Sequence, residues 1–130
     1  MKFNKLIPEL TVFNIKETKD FYLNILGFKL EYERIEDKFI FVSFENSQFM
    51  FEQLHDDGWN IGDLEYPLGR GINFSIEVKD IDTLYDKAIN HNITPFRKLI
   101  ISNYRLDNKI IQQKEFLIQD PNGYLLRFTD

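Results

Sequence analysis

The sequence predicts an α+β protein made of two βαβββ modules that form a strongly curved mixed sheet around a cleft. Three observations predict it. The apolar pattern runs from period two to period 3.6 and back again, twice along the chain. The helix starts Asn14-Ile15 and Asp80-Ile81 lie 66 residues apart, from position 14 to position 80, close to half of the 130 residues. That interval is longer than a solenoid period and points to a duplicated module. Neither module alone could cover both faces of its sheet, so the economical arrangement has the two sharing one curled sheet.

In the first module, residues 6–13, LIPELTVF, alternate as a strand. NIKETKDFYLNILGF then reads as a helix opening near Asn14 and closed by Gly27, with Ile15, Phe21, Leu23, Ile25 and Leu26 as its apolar side. KLEYER (29–34), KFIFVSF (38–44) and QFMFEQL (48–54) follow as strands, separated by Glu36-Asp37 and Glu45-Asn46 turns. The second module begins with GINFSIEV (71–78) as a strand and DIDTLYDKAINHN as a helix capped by Asp80. PFRKLIIS, KIIQQKEFLIQ and GYLLRFT close it as three more strands, the last entered through the Asp120-Pro121-Asn122-Gly123 turn. Residues 1–58 and 69–130 are thus the expected modules of one domain spanning 1–130, joined by a linker at 59–68 that runs into PLGRG (67–71).

Composition narrows the function. A chain that is 43% hydrophobic and 28% charged can bury a real core, and its 13 Phe, 6 Tyr and single Trp suggest rings lining a cavity as well. Sixteen basic against 21 acidic residues give a net charge of −5, which disfavours a nucleic-acid surface and favours neutral or cationic partners. With no cysteine, disulfides, thiolate metal sites and cysteine nucleophiles are excluded. The opening MKFNKLIPELTVF lacks the apolar stretch of a signal peptide and no window approaches a membrane span, so the expected location is cytoplasmic, with no membrane partner.

Strand parity sorts side chains into a helix-facing set and an opposite set. Leu10, Val12, Phe49, Phe51, Ile72, Phe74, Ile76, Val78, Leu126 and Phe128 form the first. The second combines Ile7, Glu9, Thr11, Met50, Glu52, Asn73, Ser75 and Arg127. Parity leaves Phe39 and Phe41 free to face either the cleft or the core. An arginine among Leu125, Leu126 and Phe128 needs a partner, because an unpaired buried guanidinium is costly.

Three segments carry a resemblance: IPELTVFNIKETKDFYLNILGF, GINFSIEVKDIDTLYDKA and EFLIQDPNGYLLRF. Over nearly its whole length the chain resembles the vicinal-oxygen-chelate superfamily, which includes glyoxalases, dioxygenases and bleomycin-resistance proteins. The FY pair followed by LGF, and DPNG near the carboxyl end, are each short; their order and spacing make the match specific. The resemblance implies metal-ligand positions at Ile7, Glu52, Asn73 and Arg127, of which Glu52 alone carries a competent group. No resident metal or cofactor is therefore expected, and the resemblance is to the non-metal, bleomycin-resistance-like branch. It implies a homodimer that sequesters a small molecule, cationic and aromatic in the family's best-known case, without catalysis. Glu52, Trp59, Arg127, Asn73, Glu9, Met50, Phe39 and Asp57 are the candidate ligand-binding residues, with Arg127 expected to pair with Glu52 or Glu9. An indole beside Asp56 and Asp57 would stack a planar ligand and attract its charge.

Bland readings stand beside these. Trp59 could plug the core or a subunit contact, Asp56-Asp57-Gly58 is ordinary turn chemistry, and His55 and His91 read as loop residues. No GxSxG, GxGxxG, Walker or HExxH pattern occurs, so no catalytic residue is expected. The rival enzymatic reading is a metal-dependent lyase or isomerase, dioxygenase or thiol transferase of the same superfamily, recruiting an ion through Glu52, Glu9 and a displaced His55.

Overall fold

The computed structural model describes residues 2–130 of the chain, which divides into two compact units, Met1–Leu68 and Gly69–Asp130. The first holds β1 (Glu9–Val12), α1 (Ile15–Asp20) continued by a π-helical turn (Phe21–Ile25), β2 (Lys29–Arg34), β3 (Phe39–Phe44) and β4 (Ser47–Gln53). In the second are β5 (Asn73–Glu77), α2 (Ile81–Asn90), β6 (Arg97–Leu106), β7 (Lys109–Gln119) and β8 (Leu125–Thr129). Each unit is a four-stranded mixed sheet, in the orders β1-β4-β3-β2 and β5-β8-β7-β6. One parallel pair in each, β1 with β4 and β5 with β8, marks where the chain returns to its first strand.

The two helix starts are chemically alike. Asn14 accepts a hydrogen bond from the Glu17 amide at 3.0 Å, and Asp80 accepts one from the Thr83 amide at 3.2 Å, each satisfying an otherwise orphaned N–H of a first turn. The Thr83 hydroxyl also donates to Asp80, and these two bonds hold its carboxyl below the usual range. The expected single helix over 14–26 is instead interrupted. At the π-helical turn the Leu26 amide donates to the Phe21 carbonyl at 3.1 Å, so the helix carries one extra residue per turn there. That shift turns Tyr22 fully into the core beside Phe21 and Leu26, while Ile15, Leu23 and Ile25 stay half exposed.

Tyr22 lies 4.5 Å from Phe51 and 5.3 Å from Phe28, and with Phe49 these rings fill the helix side of the first sheet. In the second unit Phe116 stacks on Phe128 at 5.3 Å beneath Tyr85 of α2. Leu126, Phe128 and Ile76 are buried as parity predicts, whereas Ile72 precedes β5 and is exposed. Glu45 and Asn46 both have positive φ, the geometry of a tight two-residue hairpin between β3 and β4. β6 runs four residues beyond the expected end of its strand, pairing Asn103–Leu106 with Lys109–Gln112. The β7–β8 turn closes on Asp120, which is 3% exposed and accepts from the Asn122 and Tyr124 amides at 2.8 and 3.0 Å. Burial, reinforced by that carboxylate, pushes the Tyr124 hydroxyl up to about 12. No helix of the described residues is long and apolar enough to cross a membrane.

Candidate functional site

In the first unit, register gathers the sequence-predicted residues on one face. Glu9 stands beside Met50 and Thr11 beside Glu52 on neighbouring strands, while Phe39 pairs with Glu52 and Phe41 with Met50. Partners in register share a face, so these six side chains make one patch opposite α1. The register thus settles β3, placing Phe39 and Phe41 on this face and Ile40 and Val42 toward the helix. Tyr32 stacks on Phe41 at 5.3 Å with an interplanar angle of 8°, and the Arg34 guanidinium lies 3.9 Å over the Phe39 ring. Phe3 closes edge-on against Phe41 at 5.3 Å. The Gln48 side chain anchors that segment, accepting from the Asn4 amide and donating to the Lys2 carbonyl.

Glu52 is engaged within its own unit. Its Oε2 lies 3.1 Å from His55 Nε2, while His55 Nδ1 accepts from the Asp57 amide at 3.2 Å. With Nδ1 accepting, the neutral ring carries its proton on Nε2 and donates it to the carboxylate. His55, read from sequence as a loop residue, is therefore the partner of Glu52, and Asp57 contributes its backbone to that pair. Trp59 is 95% exposed, so it does not plug the core of this unit. Its neighbour Asn60 accepts from the Thr11 hydroxyl at 2.6 Å, tethering the loop to the edge of the patch.

In the second unit, Asn73 pairs with Leu125 and Ser75 with Arg127, while Leu117 flanks Arg127 from β7. Arg127 Nε is buried and has no hydrogen-bond partner among the described residues. Glu52 and Glu9, the expected partners of Arg127, belong to the first unit, where Glu52 is paired with His55. Glu115 is a residue that sequence reasoning missed. It pairs with Thr129, placing it diagonally from Arg127 on the same face, and it is only 5% exposed. The Tyr104 hydroxyl donates to its Oε1, whereas Oε2 is buried without a partner among the described residues. The KEFLIQ alternation contained the signal: Glu115 shares the parity of Leu117, opposite to Phe116 and Ile118.

Ile7 and Arg127 offer no lone pair, and among the described residues of either unit no three His, Cys, Asp or Glu side chains gather closely enough to hold a metal. An α+β protein of two βαβββ modules thus presents a polar and aromatic sheet face in each, with buried polar atoms left unmatched in the second. The chain belongs to the glyoxalase/bleomycin resistance protein/dioxygenase superfamily, whose family model matches residues 4–128. It is 28% identical over 130 residues to a bleomycin resistance protein of Geobacillus stearothermophilus, covering 94% of this chain and 92% of that one. A glyoxalase/bleomycin resistance protein/dioxygenase of Alicyclobacillus acidocaldarius has a similar structure, with TM-score 0.66 and 27% identity, over 97% of this chain and 89% of that one. The fosfomycin resistance protein FosX of Listeria monocytogenes shares the fold, with TM-score 0.61 and 15% identity over 98% and 91% of the two chains.

Proposed function

We propose that the chain is a metal-independent binding protein that sequesters a small molecule, acting as a homodimer whose second copy completes the binding crevice. The observation that carries this reading is the pair of unmatched buried atoms, Glu115 Oε2 and Arg127 Nε, on one sheet face. Such atoms cost about 1–3 kcal/mol each when unsatisfied, so a ligand that reaches them by a local rearrangement of this face, offering one donor and one acceptor, would recover that energy. Relatedness to bleomycin resistance proteins supports a glycopeptide antibiotic as the ligand class. The net charge of −5 and the exposed indole of Trp59 favour a cationic, aromatic molecule over an anionic one. The mechanism is mass action: tight binding lowers the free ligand concentration and leaves its bonds intact.

A thermal-shift titration tests this directly. Bleomycin at 100 times its Kd would stabilise the native state by about 2.7 kcal/mol. No rise in melting temperature with bleomycin or with other cationic aromatics would reject the reading. The enzymatic alternative draws on one specific feature, the Glu52–His55 pair, which places two metal-capable groups 3.1 Å apart. Stoichiometric retention of a transition metal by the purified protein, abolished by Glu52→Gln, would favour it.

A further inference from the structure

We propose that the first unit carries a second binding site, for a small organic anion with an apolar body. A hollow of about 570 Å3 opens between α1 and the turn that joins β2 to β3. That volume falls within the usual range for small-molecule pockets. Ile40, nearly fully buried, and the aliphatic Ile15 and Ile35 supply apolar surface. Four cations surround it: Lys16, Lys19, Arg34 and Lys38.

The charges are arranged unequally. Glu33 is the one carboxylate lining the hollow, and it is bound to Lys19 at 2.9 Å. Arg34 is held by Asp37 at 2.9 Å, with its guanidinium carbon 3.9 Å from the Phe39 ring centroid, so its charge is already matched. The side chains of Lys16 and Lys38 have no hydrogen-bond or ion-pair partner among the described residues. A chain of net charge −5 thus keeps two unmatched cations around one partly apolar hollow. Like charges around one hollow repel, weakly where they meet water, and an anion between them relieves that repulsion. Lysine ammonium groups on flexible stems adapt to a phosphate or carboxylate, and the apolar surface accepts a ring or short alkyl chain behind it. The acidic groups Glu36, Asp37 and Glu52 line a neighbouring hollow on the other side of Lys38, which bounds the anion-accepting region.

Lys38 also offers a clean test. Its φ is 50°, a left-handed conformation that costs most side chains energy and suits glycine. Lys38→Gly therefore removes the cation while relaxing the backbone, so lost binding would not reflect lost folding. Calorimetric titration of the full chain with phenyl phosphate, inorganic phosphate and benzylamine is the experiment. Phenyl phosphate is expected to bind about tenfold more tightly than inorganic phosphate, and benzylamine not to compete, since about 1.4 kcal/mol separates tenfold affinities. Lys38→Gly and Lys16→Gln are each expected to weaken phenyl phosphate about fivefold or more, in line with loss of a charged hydrogen bond, with an unreduced melting temperature for Lys38→Gly. No saturable binding, equal affinity for benzylamine, or unchanged affinity in both variants would overturn the proposal. The sequestration reading rests chiefly on Glu115 and Arg127 of the second unit and on ligands of opposite charge, so it stands or falls separately.

Discussion

Asp120→Ala should be among the most damaging single substitutions outside the aromatic core. The carboxylate is 3% exposed and accepts from the Asn122 amide at 2.8 Å, the Tyr124 amide at 3.0 Å and the Asn122 side chain at 3.3 Å. Alanine would leave two buried backbone donors unpaired, at about 1–3 kcal/mol each. Allowing for water entering the vacated space, we expect a loss of about 3 kcal/mol, read as a lower urea midpoint at constant slope. Asp120→Asn keeps Oδ1 for both amides but loses the charge assistance and the bond from the Asn122 side chain to Oδ2, for a loss of about 1–2 kcal/mol. A second readout accompanies the first. Burial is the larger cause of the raised Tyr124 hydroxyl and Asp120 the smaller, so the variant should lower that pKa from about 12 only part of the way to 10.0. An Asp120→Ala protein within about 0.5 kcal/mol of the parent, the range of an ordinary surface change, would refute the reasoning.

Other outcomes follow from the same structure. Tyr124 holds its proton more tightly folded than unfolded, so its contribution to stability is complete below pH 10.0 and declines as pH rises to about 12; urea midpoints across that window, with Tyr124→Phe as the flat control, measure it. Asn14→Ala removes the acceptor of the Glu17 amide and should cost about 1 kcal/mol in chemical denaturation. Phe51→Ala empties a fully buried position beneath Tyr22 and should cost about 3–5 kcal/mol, or prevent folding of the first unit. Glu115→Gln should weaken cationic ligands while leaving the melting temperature of the free protein nearly unchanged, because it keeps an acceptor for Tyr104.

Much of the fold was legible because local chemistry and strand parity agree with it. The helix caps at Asn14 and Asp80, the DPNG turn and the burial of Phe49, Phe51, Leu126 and Phe128 all follow from residue type and period. Tyr22 was absent from the expected apolar side because a π-helical turn inserts an extra residue, which no 3.6-residue periodicity anticipates. The Glu52–His55 pair and the tether from Thr11 to Asn60 depend on the path of a loop, which pattern does not encode. Arg127 was recognised as a costly buried charge, but that Glu115 shares its sheet face becomes visible only once β7 is placed in register with β8. Register, rather than composition, was the missing information.

Equilibrium binding of bleomycin to purified, chelator-treated protein, followed by mass analysis of the recovered ligand, tests the central claim most directly. Saturable binding with the ligand recovered at its original mass, and affinity reduced about tenfold or more by Arg127→Met, is the predicted result, since one lost hydrogen bond to a charged group is worth about 1.5–3 kcal/mol. Binding that needs an added divalent ion, a chemically altered ligand, or no binding at all would contradict it.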